Sequence, residues 1–376
     1  MKIGILTEIK PAEHRVAATP ETVKKMMQLG NQVLIQKGAG ERASITDAAY
    51  QAAGAQMVSA DEVFSHAEII LKVRAPESAE IQAMRPNTGL IGLLEPYNQT
   101  QVELMTKQGV TAFALELLPR NSRAQSMDVL SSQANVAGYK AVLLASHFYP
   151  RFMPMLMTSA GTVKAARVLV LGAGVAGLQA IATAKRLGAV VEASDVRPAV
   201  KEQIESLGAK FIDVPFETEE EANIAAGVAG YASAMPAAWL QRQALLVAER
   251  ASEADIIITS ALIPNKEAPT LLAASTVEKM KVGSVIVDMA AGFGKNGAGN
   301  CELTEANQVL VKHGVTIVGY TNLPSLVSAG ASAFYARNIL EFLKLLVTKE
   351  GHFNIPNDDE LVTACLLCQN HLKTIK

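Results

Sequence analysis

Arg167-Val168-Leu169-Val170-Leu171-Gly172-Ala173-Gly174-Val175-Ala176-Gly177 is the stretch that decides the fold. An apolar strand runs into a G-x-G-x-x-G turn, and a helix-forming run to Leu187 follows, opened by Val175 and Ala176. Gly172 permits the tight turn, Gly174 lets backbone approach a pyrophosphate, and Gly177 lets the helix pack closely on the strand. The helix start offers unpaired N–H groups and a positive dipole end to phosphate. The next strand ends at Asp195, where a carboxylate accepts from the hydroxyls of an adenosine ribose. Asp195 repels a 2′-phosphate, which favours NAD over NADP. Arg197 complicates this, because an arginine there either accommodates the extra phosphate or lies over the adenine ring.

The chain contains its own control. Gly292-Phe293-Gly294-Lys295-Asn296-Gly297 fits the same pattern after a strand, yet Ala298-Gly299-Asn300 follow instead of a helix. No dipole then points at a phosphate, and this second match reads as loop.

Working outward, apolar strand runs alternate with helical patterns in two series. The first has strands at 2–7, 32–36, 68–73, 89–94 and 110–117; the second at 166–171, 189–194, 210–214, 255–259, 282–288 and 315–319. Continuous apolar strands between helices predict parallel sheets covered on both faces. At about 150 residues per domain, 376 residues suggest two domains. The long helical patterns at 132–146 and 325–347 join them. The expected fold is α/β, with two Rossmann-like domains. Residues 1–131 and 325–376 form a discontinuous first domain completed by the C-terminal helix, and 132–324 form the NAD-binding domain.

Composition removes other classes of function. Hydrophobic residues at 49% and charged residues at 19% describe a globular protein. A net charge of −2 provides no field for nucleic acid or an anionic membrane, and 5% aromatics provide no base-stacking surface. The uncharged run 168–184 is broken by three glycines, which suits strand, turn and helix rather than a membrane span. The N-terminus, with Lys2, Glu8 and Lys10, lacks a signal-peptide segment. Three cysteines cannot build a disulfide framework, and Cys365-x-x-Cys368 has no second pair to complete a structural zinc site. No metal is expected. The stretch 217–236 opens acidic and continues small and flexible, so it reads as a long loop.

The polar segment Arg120-Asn121-Ser122-Arg123-Ala124-Gln125-Ser126-Met127-Asp128-Val129-Leu130-Ser131-Ser132-Gln133 follows an apolar strand and leads into the first connecting helix. It reads either as a ligand loop at the mouth between domains or as a capping segment in which Asp128 or Ser131 starts the helix.

Together with the fingerprint, this run resembles the soluble NAD(H)-binding component of proton-translocating NAD(P) transhydrogenases. The likeness extends from Glu8-Ile9-Lys10 through Gly172–Asp195, Gly230-Tyr231 and Ala261-Leu262-Ile263-Pro264 to Gly299-Asn300-Cys301. It implies that Arg120, Gln125, Asp128 and Ser131 surround the nicotinamide and its ribose or pyrophosphate, with Gln125 toward the hydride-transfer side. It places Val175 and Ala176 at the helix start and Asp195, Val196 and Arg197 around the adenosine. Gly230 and Tyr231 belong to a loop that closes over the nucleotide, and Ala261 and Leu262 line the adenine side. The implied partners are a membrane-spanning and an NADP-binding subunit, with a homodimer of this chain held peripherally on the cytoplasmic face of the inner membrane.

Alanine dehydrogenases resemble the chain too and supply the alternative function. Arg15 matches their substrate-carboxylate arginine, but their catalytic lysine falls at Arg74 and their histidine at Glu95. An arginine does not readily transfer a proton, and a glutamate does not reproduce imidazole near neutral pH. Arg15 and Arg74 then read as remnants or as ion-pair partners.

Overall fold

The computed structural model describes residues 1–225, 235–262, 266–348 and 351–369. The chain divides into two compact units, Met1–Gln133 with Pro324–Lys376, and Ala134–Leu323.

In the first unit, β1 (Lys2–Ile5), β2 (Gln32–Gln36), β3 (Gln56–Val58), β4 (Ile69–Leu71), β5 (Gly89–Gly92) and β6 (Thr111–Ala114) pair in parallel. Their order is β6-β5-β4-β1-β2-β3, and the strand Leu366–Cys368 adds antiparallel beside β6. The chain reverses its direction of growth between β1 and β4, which makes their carboxyl ends the topological switch point of this sheet. The C-terminal helix Ser328–Leu343 contributes Tyr335, Ile339, Leu340, Phe342 and Leu343 to the same core as Ile3, Ile35, Leu71 and Phe113.

The second unit repeats the plan. A hairpin, β7 (Leu156–Thr158) and β8 (Gly161–Val163), precedes β9 (Arg167–Leu171), β10 (Val190–Ser194), β11 (Lys210–Phe211), β12 (Ile256–Thr259), β13 (Val285–Asp288), β14 (Val309–Lys312) and β15 (Val315–Val318). The sheet order is β11-β10-β9-β12-β13-β15-β14, all parallel except β14. Its switch point lies between β9 and β12. β9, β12 and β13 bury nearly every residue, as an apolar run covered on both faces requires.

Two expectations change. Each sheet carries an antiparallel edge strand that a strand–helix–strand rhythm does not signal. The acidic opening of 217–236 is the helix Glu219–Ala225, with Glu219, Glu220 and Glu221 in its first turn, where the dipole favours carboxylates. Residues 226–234 of that segment lie outside the described residues.

Candidate functional site

At the β9/β12 switch point the chain turns at Gly172, whose φ of +94° is left-handed backbone that favours glycine. A Cβ on Gly177 would sit 1.9 Å from the Gly172 carbonyl oxygen, so the helix Val175–Arg186 starts in backbone contact with the turn. On the outer side, a Cβ on Gly174 would meet nothing within 4 Å. Gly174 is also the N-cap and brings no side chain to the first-turn amides. The arrangement is a concave, uncapped helix start, with Val175 exposed at its lip. Behind it, a Cβ on Gly138 would meet the Ala176 carbonyl oxygen at 2.1 Å, so the helix Val129–Phe148 crosses the same helix start at backbone distance.

Asp195 follows β10 and faces this turn. Its Oδ2 accepts the Ala173 amide at 2.8 Å and Arg197 Nη2 at 2.8 Å, while Oδ1 accepts the Arg197 amide and Nε at 2.9 Å each. The Asp195 carboxylate pushes the Arg197 guanidinium further up from its ordinary value. Val196 packs on a small core of Val214, Ala225, Met235 and Trp239, where Phe216 stacks on Trp239. The chain's single tryptophan therefore lies in the cluster that supports this carboxylate's neighbour.

The third wall is the turn after β12. Ser260 Oγ donates to the Gly172 carbonyl at 3.0 Å. Asn300 accepts the Ala261 amide at 3.0 Å and returns a bond to the Ala261 carbonyl at 2.8 Å. Leu262 is exposed. Asp288, fully buried at the end of β13, accepts from Thr259, Thr304 and the amides of Ala290, Asn300 and Cys301. Asp288 thereby orders Asn300, and Asn300 orders Ala261. Sequence reading missed both residues as parts of the site; the signal was an aspartate ending an apolar strand, with an Asn beside Gly299. In the decoy Gly292–Gly297, Asn296 interrupts a short 3-10 turn at φ +55° and no α-helix follows.

The polar run near Arg120 belongs to the first unit. Ser122–Met127 is a 3-10 turn in which Gln125 is exposed. Asp128 caps the helix Val129–Phe148: Oδ1 accepts the Ser131 amide at 2.9 Å and Oδ2 the Ser131 hydroxyl at 2.5 Å. The C-terminal segment braces this turn. Arg123 pairs with Asp359, Asn121 donates to Glu360 at 3.0 Å, and Asn338 donates to the Ser126 carbonyl at 2.7 Å. The Arg123 guanidinium holds the Asp359 carboxyl below its ordinary value. Arg120 is exposed beside the turn. Gly230 and Tyr231 lie outside the described residues.

The first unit's own switch point is filled with charge. Lys72, 1% exposed, lies 2.8 Å from Glu80 and 3.4 Å from Glu8. Glu8 accepts the Val73 amide at 2.6 Å, and burial pushes its carboxyl up against the pull of Lys72. Arg15 donates to Glu13 at 2.8 and 2.7 Å and to Gln133 at 2.8 Å, with Arg74 3.9 Å from Glu13. Glu95 pairs with Lys10 at 2.8 Å. Arg15, Arg74 and Glu95 are therefore ion-pair partners.

Residues 4–137 match the alanine dehydrogenase/PNT N-terminal domain, and residues 141–375 match the alanine dehydrogenase/PNT C-terminal domain. The chain belongs to the alanine dehydrogenase/PNT family. It is 51% identical to an NAD(P) transhydrogenase subunit alpha chain of Rhodospirillum rubrum, over 93% of this chain and 91% of that one. It is 46% identical to the NAD(P) transhydrogenase alpha subunit of Cereibacter sphaeroides, over 95% of this chain and 68% of that one. An alanine dehydrogenase of Mycobacterium tuberculosis is more distant, at 30% over 87% and 82%. The fold superimposes on a transhydrogenase from Sinorhizobium meliloti with a TM-score of 0.85 at 44% identity, covering 98% of both chains. Within this family the chain stands on the transhydrogenase side.

Among the described residues no helix is long and apolar enough to cross a membrane, and no group of three or more His, Cys, Asp or Glu is placed to hold a metal. Cys365 and Cys368 are buried, which pushes the Cys365 thiol up to about 12.

Proposed function

We propose that this chain is the NAD(H)-binding subunit of a proton-translocating NAD(P) transhydrogenase. The observation that carries the reading is the β9/β12 turn: an uncapped helix start with open space at Gly174 and a carboxylate at Asp195. These residues fit a dinucleotide. First-turn amides and the helix dipole bind the pyrophosphate. Asp195 accepts the adenosine ribose hydroxyls, with Val196 and Arg197 beside it and Leu262 toward the adenine. Arg120, Gln125, Asp128 and Ser131 orient the nicotinamide and its ribose, and Gly230 and Tyr231 close over the nucleotide.

The nicotinamide ring supplies the hydride chemistry, giving NAD+ and NADPH from NADH and NADP+. The protein's task is proximity and orientation, so a subunit without a proton-transferring dyad suffices. The second nucleotide, NADP(H), is held by a partner subunit, and proton movement belongs to membrane-spanning partners. The chain acts as a homodimer, attached through those partners to the cytoplasmic face of the inner membrane.

Mixing decides the reading. The chain alone oxidises NADH slowly, and adding the purified NADP-binding component with NADP+ restores fast transfer. Turnover with pyruvate and ammonium would instead favour an alanine dehydrogenase. Light scattering that returned a monomer would remove the dimer.

A further inference from the structure

An ionised carboxylate offers about four lone-pair positions. At Asp195 the amides of Ala173 and Arg197 and the Nε and Nη2 groups of Arg197 use that capacity. Two of these donors are fixed in the backbone. The other two are the fork of one side chain, which is itself 18% exposed and so has a way out to solvent. We infer that Arg197 is a built-in stand-in for the ribose diol: its side chain occupies the two acceptor positions of Asp195 that a nucleotide needs, and binding exchanges it for the ribose hydroxyls.

This inference rests on the nucleotide reading of the site and adds to it a specificity-determining residue. The exchange is isosteric in hydrogen bonding. Two N–H donors leave and two O–H donors arrive, while Ala173 and the Arg197 amide keep the carboxylate aimed at the turn. An Asp195 side chain only 6% exposed thus keeps its partners before the nucleotide arrives. The ligand must compete with an intramolecular, charge-assisted fork, which lowers apparent affinity by the fraction of molecules in which the fork is closed. The competition acts on ribose hydroxyls alone. A ligand without them has nothing to exchange.

The test uses the full chain and three probes: NADH, 5′-AMP and 2′,3′-dideoxy-AMP, titrated by calorimetry against wild type and Arg197→Met, which keeps the volume and removes the fork. Arg197→Met is expected to bind NADH and 5′-AMP about fivefold more tightly and 2′,3′-dideoxy-AMP with unchanged affinity. Equal weakening for all three probes would make Arg197 an adenine contact and overturn the inference, as would no change for any. Wild type that binds NADH while the variant shows either pattern sinks this inference alone. Wild type that fails to bind NADH sinks the nucleotide reading with it. If Arg197→Met does not fold, Arg197→Gln carries the same expectation.

Discussion

Two crevices of the same topological kind are finished in opposite ways in this chain. At β9/β12 the floor is glycine and backbone amide, with nothing within 4 Å of a Cβ on Gly174. At β1/β4 the corresponding positions are Glu8 and Lys72, closed by Glu80, with Arg15 and Glu13 alongside. Strand order creates a place for a ligand in both. Residues decide whether it stays available, because glycine leaves donors and volume open while buried ion pairs consume both.

The largest effect expected from breaking this contrast is at the charged crevice. Lys72→Met leaves Glu8 and Glu80 without their cation, and should cost about 3–5 kcal/mol in denaturant unfolding with NADH affinity unchanged. The pH dependence has a definite sign. Glu8 has a raised folded value, so the folded state holds that proton more tightly, and stability falls as pH rises from the ordinary carboxylate value through the raised one. The Lys72→Met deficit should therefore grow from pH 5 to pH 8, and Glu8→Gln in the same chain should recover part of it.

The glycine crevice responds in affinity instead. Gly174 has φ −73° and space around it, so Gly174→Ala folds normally. The new methyl stands where pyrophosphate approaches, and NADH binding should weaken at least about tenfold, or 1.4 kcal/mol. Full affinity would mean that the nucleotide lies elsewhere. Gly297→Ala in the decoy loop also has open space. Its φ of +78° costs about 1 kcal/mol of stability, with no change in NADH affinity.

The central strands of both sheets were legible because burial on two faces leaves continuous apolar runs such as Ile256–Thr259. The edges were not. Val309–Lys312 is half exposed, the hairpin at Leu156–Val163 has no buried face to alternate with, and Leu366–Cys368 pairs with a strand some 250 residues earlier in the chain. The glycines and Asp195 could be read because their chemistry is local in sequence. Asp288, Asn300 and Ser260 could not, since each acts through a backbone group brought beside it only by the sheet. The brace on Ser122–Met127 has the same origin, with Arg123 and Asp359 separated by 236 residues.

That brace predicts the smallest effect. An exposed pair contributes about 0.2–1 kcal/mol, so Arg123→Ala should lower stability slightly and slow hydride transfer about threefold, with NADH affinity unchanged. Asp359 has a lowered folded value, so its contribution is present above the ordinary aspartate value and is lost as pH falls through the lowered one. Asp359→Asn should flatten that acid limb in a pH series of thermal midpoints.

Hydrogen exchange read by mass spectrometry, with and without saturating NADH, compares both crevices in one sample. Protection should rise at 172–178, 194–197 and 120–131 and stay unchanged at 8–15 and 72–80. Protection that rose at 8–15 and 72–80 while 172–178 exchanged as before would contradict the assignment of the nucleotide to the glycine-built turn.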